Sequence, residues 1–252
     1  MKLFRKKQYE YCVCIPVINE GERIISQLML MNELKIYNHA DILICDGGSD
    51  DDSLQPDFLR SCNVRALLIK TGPGKLGTQL RMGYSFALDQ GYSGILTIDG
   101  NNKDDPGAIP GFIELLKQGY DYIQGSRFIK GGRSINAPIS RLLAIRLIHA
   151  PVISMLAGFR LTDTTNGFRA YSSRVISDPS LDIFRDVFQG YELLFYLSAR
   201  IPRLKYRVTE YPVTRKYPEN SPVPTKIRGW HERLYLLLTL WRLARGSYDP
   251  GS

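Results

Sequence analysis

An apolar run near the middle of the chain ends in a cluster of oxygen-bearing side chains. Residues 95–98 have the pattern of a buried β-strand, and Asp99 and Asn101 come just after it. In an open α/β sheet, ligands bind outside the carboxyl ends of the strands. Hard cations that bridge phosphates take one or two carboxylates together with phosphate oxygens and water. The stretch therefore predicts a phosphate or metal site, although a plain turn with a helix start at residues 105–106 fits the same pattern.

Two earlier apolar runs end in the same way. Residues 11–18 lead to Asn19 and Glu20, and residues 40–45 lead to an acidic, glycine-containing turn at 46–53. The glycines let the backbone turn tightly, and the acids can accept hydrogen bonds from a base or a ribose. Each run is followed by a polar turn and then a helical pattern. Short strands that alternate with helices in this way predict a parallel βαβ domain.

The composition fits one core-forming domain. The chain has 252 residues, of which 44% are hydrophobic and 23% are charged. The basic start between Lys2 and Lys7 is followed by polar residues instead of the apolar run of a signal peptide, so we expect a cytosolic protein. Cysteines at positions 12, 14, 45 and 62 lack zinc spacing. We expect them to be reduced and structural.

The net charge of +8 is unevenly distributed. Residues 1–122 carry 13 basic and 16 acidic side chains, residues 123–174 carry 8 and 1, and residues 200–245 carry 11 and 3. The acidic part suits a nucleotide and a metal, whereas the basic part suits phosphate on an acceptor or on anionic lipid. A solvated basic surface is the alternative. Nucleic acid is not predicted as a partner, because no stacking motif or recognition helix accompanies the charge.

Two apolar helical stretches lie within the basic part, at 141–159 and 230–245. Charged residues interrupt both, so neither offers the roughly 20 clean apolar residues that span a bilayer. Basic side chains beside Leu and Trp suit a helix that lies in the headgroup plane of a membrane. Ordinary packing against the sheet is the alternative for both stretches.

The first half of the chain carries an ordered set of motifs: Pro16, Asn19 and Glu20, residues 46–49 with Asp51, Gly77 with Gly83, and residues 99–101. In order and spacing they resemble the inverting family-2 glycosyltransferases of the GT-A fold. The resemblance continues beyond these motifs. In the second half it rests on residues 125–128, 131–132, 163–169 and 210–213, which look like the acceptor half of polyprenol-phosphate (dolichol-phosphate) mannosyl- and glucosyltransferases. The match covers residues 10 to 228, approximately.

The resemblance implies an α/β architecture, the GT-A nucleotide-sugar-binding fold. Its sheet is mostly parallel and flanked by helices, and amphipathic interface helices lie in the C-terminal half. We expect a single glycosyltransferase domain over residues 1–252. Within it, a nucleotide-binding half covers about 10–122, an acceptor half covers about 123–228, and an amphipathic C-terminal helix covers about 229–245.

The resemblance also implies the site residues, with Asp99 and Arg127 as the catalytic pair. The nucleotide-binding residues are expected to be Pro16, Asn19, Glu20, Asp46, Gly48, Ser49, Gly77, Asp99 and Gly100. The residues that hold the acceptor and its phosphate are expected to be Arg127, Arg133, Asp163, Arg169, Arg215, Lys216 and Lys226. For Asp163 and Arg169, a purely structural ion pair within the turn is the alternative.

One departure from the family pattern concerns the metal. The usual Asp-x-Asp-x-Gln is here Asp99-x-Asn101-x-Lys103, so an amide replaces the second carboxylate. The amide oxygen can still bind a cation, whereas an ammonium group cannot. Either Asp99 and Asn101 hold Mg²⁺ or Mn²⁺ with water and diphosphate, with Asp104 as a further candidate, or Lys103 replaces part of the charge of the cation. The dependence on metal is expected to be weak.

The activity that the resemblance implies is transfer of a hexose from a UDP- or GDP-sugar to a polyprenyl phosphate. It proceeds with inversion and is carried out by a peripheral enzyme at the cytosolic face of an anionic membrane. A phosphate acceptor needs no strong base, because its second pKa is about 6. Positioning and electrostatics then supply the catalysis. The alternatives are transfer to a sugar hydroxyl in polysaccharide assembly, which needs a carboxylate base, and a nucleotide-sugar-binding scaffold without catalysis.

Overall fold

The structure is a computed structural model that describes residues 1–219 and 229–251, without the side chains of 229–233. Its strands are β1 (Lys2–Leu3), β2 (Tyr11–Val17), β3 (Asp41–Asp46), β4 (Val64–Ile69), β5 (Gly94–Thr97), β6 (Tyr122–Ser126), β7 (Arg133–Ile135), β8 (Arg169–Ser172), β9 (Val208–Pro212) and β10 (Thr214–Lys216). Eight of them form one sheet in the order β1-β4-β3-β2-β5-β8-β6-β9, and β7 pairs with β10 in a separate parallel ribbon.

Helices cover both faces of the large sheet. They are α1 (Glu22–Glu33), α2 (Pro56–Ser61), α3 (Leu76–Asp89), α4 (Ile109–Lys117), α5 (Ile139–Ala144), α6 (Ala150–Ala157), α7 (Ser173–Ile176), α8 (Glu192–Arg203) and α9 (Gly229–Ala244). A π-helical turn, Ile145–His149, joins α5 to α6 into one continuous helix. The predicted α/β architecture of the GT-A type is confirmed.

Strand β2 shows why the central runs are apolar at every position. Its side chains alternate between two buried clusters, with Cys12 and Cys14 in one and Val13 and Ile15 in the other. A strand that is buried on both faces reads as a continuous hydrophobic run, because neither face meets water. All four cysteines of the chain are free and buried, as expected.

The three predicted strand ends lie at one edge of the sheet. Strand β2 pairs in parallel with β3 and β5, in a register that places Val17 beside Asp46 and Cys14 beside Thr97. The polar turns that follow these strands are therefore neighbours. From α3, the buried side-chain amide of Gln79 donates to the carbonyls of Val17, at 2.7 Å, and Cys45, at 2.8 Å. These bonds hold the carboxyl ends of β2 and β3 together.

Strand β8 brings the second half of the chain to the same edge. It lies antiparallel between β5 and β6, and Arg169 pairs with both Thr97 and Gln124. Because β8 runs against its neighbours, the turn before it arrives at their carboxyl ends. The Thr97 hydroxyl donates to the carbonyl of Gly167 at 2.7 Å. A Cβ atom at Gly167 would lie 2.3 Å from Oδ1 of Asp99, so the turn can approach this closely only with glycine.

The helix Ile139–Ala157 contains most of the first apolar stretch, 141–159. By length and composition it could cross a membrane, since Arg141 and Arg146 are its only charged residues. Its buried residues include Ile145 and Ile153, which pack against the rest of the protein. Its other side is exposed and apolar, with the large residues Ile139, Leu143, Leu147, Ile148 and Met155. One side of the helix therefore packs in the protein, and the exposed apolar side is available for the membrane contact that the sequence predicts as one of two alternatives.

Candidate active site

Asp99 lies at the centre of the carboxyl edge, directly after β5. Its Oδ2 atom accepts hydrogen bonds from Nη2 of Arg215, at 3.0 Å, and from the side-chain amide of Asn101, at 3.4 Å. Burial opposes ionisation of this carboxyl, but Arg215 and Lys103 outweigh it and hold the pKa of Asp99 below its usual range. Asp99 is therefore a carboxylate already paired with a cation before any ligand binds.

Arg215 connects three separate segments. Its Nη1 atom donates to the carboxylate of Asp104 and, at 3.2 Å, to Oδ1 of Asn166, while Nη2 binds Asp99. The backbone supports this placement, because the amide of Lys216 donates to the carbonyl of Lys103 at 2.7 Å. Burial raises the pKa of Asp104 to about 6, even though Arg215 opposes the shift. The guanidinium thus fixes the loop after β5 to the turn before β8.

Four cationic side chains lie around the buried Tyr217, three of them over its ring and one at its hydroxyl. The distances to its ring centroid are 5.5 Å from Nζ of Lys103, 5.7 Å from Cζ of Arg141 and 6.0 Å from Cζ of Arg215. Its hydroxyl accepts a hydrogen bond from Nη1 of Arg127 at 2.9 Å. Burial, together with Arg215, lowers the pKa of Lys103 to about 8. Cations held this close repel one another, so the cluster favours an anion.

Arg127 occupies a more internal position than its motif indicated. Its Nε atom lies 2.6 Å from Oδ2 of Asp163 and its Nη2 atom 2.8 Å from Oδ1, and both side chains are almost fully buried. Nη2 also donates to the hydroxyl of Thr165 at 3.1 Å. In this structure Arg127 therefore holds the turn before β8. Its predicted contact with a phosphate stays a prediction.

Arg169 is fully buried and binds groups other than Asp163. It donates to the carbonyl of Thr164, at 3.0 Å, and to that of Leu194 on α8, at 2.7 Å. It also donates to the hydroxyl of Ser198 at 3.0 Å. The structural ion pair considered for the turn thus exists, but it joins Asp163 to Arg127, while Arg169 fastens the turn to α8.

The turn after β3 is organised around Asp46. Its Oδ1 atom accepts hydrogen bonds from the backbone of Gly48, at 3.1 Å, and from the backbone and hydroxyl of Ser49, at 2.9 and 2.7 Å. The Ser49 hydroxyl in turn accepts from the backbone of Asn19 at 3.0 Å. Gly48 has a φ of 95°, which glycine adopts without strain. Asp46 therefore shapes the turn, and Asn19 links it to the end of β2.

The other predicted nucleotide residues lie along the same edge or support it. The backbone of Gly100 donates to the carbonyl of Pro16 at 3.3 Å, and Glu20 pairs with Arg23 at 2.7 Å. Gly77 begins α3, where its N–H donates to the carbonyl of Gln189 at 3.0 Å. That N–H is therefore engaged within the protein, and Gly77 acts on the edge through the placement of α3.

Two predicted acceptor residues lie on the surface next to the cation cluster. Arg133 on β7 and Lys216 on β10 are exposed on the two-stranded ribbon, beside the cation cluster. Lys226 lies outside the described residues. The sequence missed two members of the cluster. Tyr217 follows the basic pair at 215–216 directly, which is a usable signal, whereas Arg141 is hidden at the start of an apolar stretch.

No protein-family model matches the chain. It is 27% identical over 202 residues to the undecaprenyl-phosphate mannosyltransferase of Micrococcus luteus, across 79% of this chain and 81% of that protein. It is 26% identical over 205 residues to the polyprenol monophosphomannose synthase of Mycolicibacterium smegmatis, across 80% and 76%. Its fold matches glucosyl-3-phosphoglycerate synthase of Mycobacterium tuberculosis, solved with Mn²⁺, UDP and glucosyl-3-phosphoglycerate. That match has a TM-score of 0.61 and 16% identity, over 95% of this chain and 79% of the other.

The chain is a glycosyltransferase of the GT-A fold. Its resemblance to the polyprenol-phosphate mannosyltransferases, which the ordered motifs indicated, is confirmed. Its cluster of Asp99, Arg215 and Tyr217 therefore lies at the edge where such a fold binds ligands.

The described residues offer few side chains that could bind a metal ion. Within residues 1–219 and 229–251, no three His, Cys, Asp or Glu side chains cluster in a way that could hold a metal ion. Two buried oxygens near Asp99, Oδ1 of Asn101 and Oδ1 of Asp104, accept no hydrogen bond from any described residue. One carboxylate and such unpaired oxygens fit a cation that takes its other ligands from water and phosphate.

The buried pair of Arg127 and Asp163 gives the first testable prediction. Asp163→Asn should lower the free energy of unfolding by about 3 to 5 kcal/mol, because it leaves the buried Arg127 without a countercharge. Chemical denaturation at neutral pH measures the loss. Asp182→Asn is the matched control, since Asp182 pairs with Arg185 at 3.3 Å with its side chain 49% exposed. Equal stability of the two variants would contradict this account.

Proposed function

We propose that this glycosyltransferase transfers a hexose from a UDP- or GDP-sugar to a polyprenyl phosphate, with inversion, at the cytosolic face of a membrane. The observation that carries the proposal is the convergence of Lys103, Arg141 and Arg215 on Tyr217, next to Asp99. Transfer between two phosphate-bearing substrates brings anions together, and a preorganised cation cluster lowers the cost of that approach. The names of the relatives support the coarser part of this proposal, glycosyl transfer to a polyprenyl phosphate.

The nucleotide is proposed to bind along the ends of β2, β3 and β5. The residues assigned to it are Pro16, Asn19, Glu20, Asp46, Gly48, Ser49, Gly77, Asp99 and Gly100. Several of these fix the backbone and need not contact the nucleotide themselves. Asp46 accepts hydrogen bonds within its own turn, and the N–H of Gly77 binds the start of α3 to Gln189. Rigid turns favour binding, since less conformational freedom is lost when the ligand arrives. The first half of the chain is accordingly proposed as the nucleotide-binding half.

The acceptor phosphate is proposed to bind between Arg141, Lys103 and Arg215. Arg141 lies on the first turns of the continuous helix, whose exposed side carries Leu143 and Leu147. A lipid that lies along this apolar side would carry its phosphate to the cation cluster. Arg133 and Lys216, exposed on the ribbon, would extend the positive surface, and Arg127 and Asp163 would keep the turn in place.

The reaction follows from this placement. An oxygen of the acceptor phosphate attacks the anomeric carbon, the bond from that carbon to the nucleoside diphosphate breaks, and the diphosphate leaves with the electron pair. A single in-line displacement inverts the configuration of the sugar. No base is required, because the acceptor phosphate is already ionised above about pH 6. A hydroxyl acceptor fits less well, since Arg215 pairs with both nearby carboxylates, Asp99 and Asp104.

A divalent cation would be held by Asp99 and by the amide oxygen of Asn101. Mg²⁺ or Mn²⁺ bound there neutralises charge on the leaving diphosphate. The protein supplies few ligands of its own, and Lys103 and Arg215 already place positive charge beside Asp99. The cation therefore depends on the nucleotide for its remaining ligands.

The first experiment tests transfer directly. Purified chain is incubated with UDP- and GDP-hexoses and with polyprenyl phosphate in vesicles, and products are separated by chromatography. We expect release of the nucleoside diphosphate and a glycosyl phosphate that is labile to mild acid. Arg215→Lys should lower kcat/KM by about 100-fold, the loss typical of removing a preorganised donor. A lysine cannot bridge two carboxylates as the guanidinium does.

Arg207→Lys is the control for that experiment, because Arg207 stacks on Tyr120 at 4.6 Å near the amino ends of β6 and β9, away from the carboxyl ends that form the site. It should retain activity. Turnover with a sugar hydroxyl acceptor, and none with polyprenyl phosphate, would contradict the proposed acceptor. Nucleotide-sugar binding without any turnover would instead identify a scaffold.

The second experiment concerns the cation. Mn²⁺ binding, followed by electron paramagnetic resonance, should be weak for the chain alone and clear when UDP or GDP is added. Lys103→Gln should tighten Mn²⁺ binding about tenfold, a change of roughly 1.4 kcal/mol, because it removes a positive charge beside Asp99. Lys117→Gln, on the exposed last turn of α4, should leave it unchanged. Full transferase activity in EDTA would show that Lys103 and Arg215 replace the cation.

The third experiment concerns the membrane. Purified chain should co-sediment with anionic vesicles, and salt should weaken binding, because each basic residue near the surface contributes about 1 kcal/mol of screened attraction. Leu147→Glu should reduce binding, since Leu147 is 69% exposed on the apolar helix. Leu3→Glu is the control, because Leu3 is 55% exposed on the distant strand β1. Equal binding to neutral and anionic vesicles would contradict the electrostatic part.

A further inference from the structure

The C-terminal helix α9 contacts the segment 188–192 through a hydrogen-bonded carboxylate. The hydroxyl of Tyr235 donates to Oε1 of Glu192, and the other oxygen, Oε2, accepts from the backbone of Gly190 at 2.6 Å. A Cβ atom at Gly190 would lie 2.7 Å from the Tyr235 hydroxyl and 2.9 Å from Oε2 of Glu192. Glu192 thus fixes the backbone of this segment to a side chain of α9.

Segment 188–192 also contacts the first turn of α3. The carbonyl of Gln189 accepts hydrogen bonds from the backbone of Lys75, at 2.9 Å, and Gly77, at 3.0 Å. A Cβ atom at Gly77 would lie 2.5 Å from the carbonyl of Phe188, so the two backbones are in close contact. Helix α3 in turn holds the ends of β2 and β3 through Gln79. Contacts therefore run without a break from α9 to the strand ends.

Tyr191, which follows Gly190 in segment 188–192, interacts electrostatically with Asp99. Its burial raises the pKa of its hydroxyl to about 12, and Asp99 is close enough to add to that shift. Its ring stacks on Phe195 of α8, with the ring centroids 6.4 Å apart. A displacement of segment 188–192 would therefore change the structure at two places in the site, at the start of α3 and beside Asp99.

We propose that Tyr235 and Glu192 are positioning residues for the nucleotide sugar, so that full nucleotide affinity requires α9. This inference rests on the proposed function, because it assumes that a nucleotide binds along the edge. Tyr235 acts from a distance, through Glu192 and the backbone of Gly190. When the hydrogen bond from Tyr235 to Glu192 is lost, segment 188–192 and the start of α3 become less ordered. Part of the binding free energy of the nucleotide is then used to order them.

The experiment measures nucleotide affinity by isothermal titration calorimetry with UDP and GDP. Tyr235→Phe and Glu192→Gln should each raise the Kd for the nucleotide about tenfold, because each removes a hydrogen bond that involves a charged acceptor. The double variant should be no weaker than either single variant, since both break one connection. In transfer assays the KM for the nucleotide sugar should rise, while kcat at saturation stays near its original value.

Tyr206→Phe is the matched control, because the Tyr206 hydroxyl also donates to a carboxylate, that of Asp178, at 2.7 Å. It should leave the Kd unchanged even if it lowers the melting temperature. The inference is overturned if Tyr235→Phe and Glu192→Gln bind nucleotide as tightly as the unaltered chain. It is also overturned if their losses add in the double variant. If the unaltered chain binds neither UDP nor GDP, the proposed function itself fails.

Discussion

The site depends on one buried guanidinium, that of Arg215, which forms ion pairs with two carboxylates. Arg215 binds Asp99 after β5 and Asp104 five residues later, and it also donates to Asn166 before β8. Burying a cation is costly unless its partners are in place, and burying the partners without the cation is costly too. The loop after β5, the turn before β8 and strand β10 are therefore stable only in combination. This mutual requirement places a cation beside Asp99 without help from a ligand.

The remaining cations extend that arrangement. Lys103 and Arg141 lie over the ring of Tyr217, whose hydroxyl is bound by Arg127. Because these charges are held by the fold, they need not reorganise when the two proposed phosphate-bearing substrates meet, and such preorganisation is a major source of catalytic power. The central motif of the chain has one carboxylate fewer than the glycosyltransferase pattern that it resembles. The extra lysine and the bridging arginine supply positive charge at the same place.

The sequence predicts the parts of this site that depend on local pattern. Apolar runs ending in Asp, Asn and Gly located three strand ends, and parallel pairing places them at one edge. It could not predict partners that are distant along the chain. Asp163 pairs with Arg127 and not with Arg169, because the antiparallel course of β8 directs Arg169 towards α8. Arg141 was missed for the same reason, since only the folded chain brings it to Lys103 and Tyr217.

The position of β8 bears on how the protein can fold. This strand fills the space between β5 and β6, although it follows both in the chain by a long interval. Until it arrives, β5 has an open edge and the Thr97 hydroxyl lacks its partner at Gly167. The first 122 residues therefore do not form a finished sheet by themselves, even though they contain every strand of the β4-β3-β2-β5 group. Pairings of such long sequence separation slow folding, because the loop must close before the contact is gained. The proposed nucleotide and acceptor halves differ in chemistry, yet we expect them to fold together as a single cooperative unit.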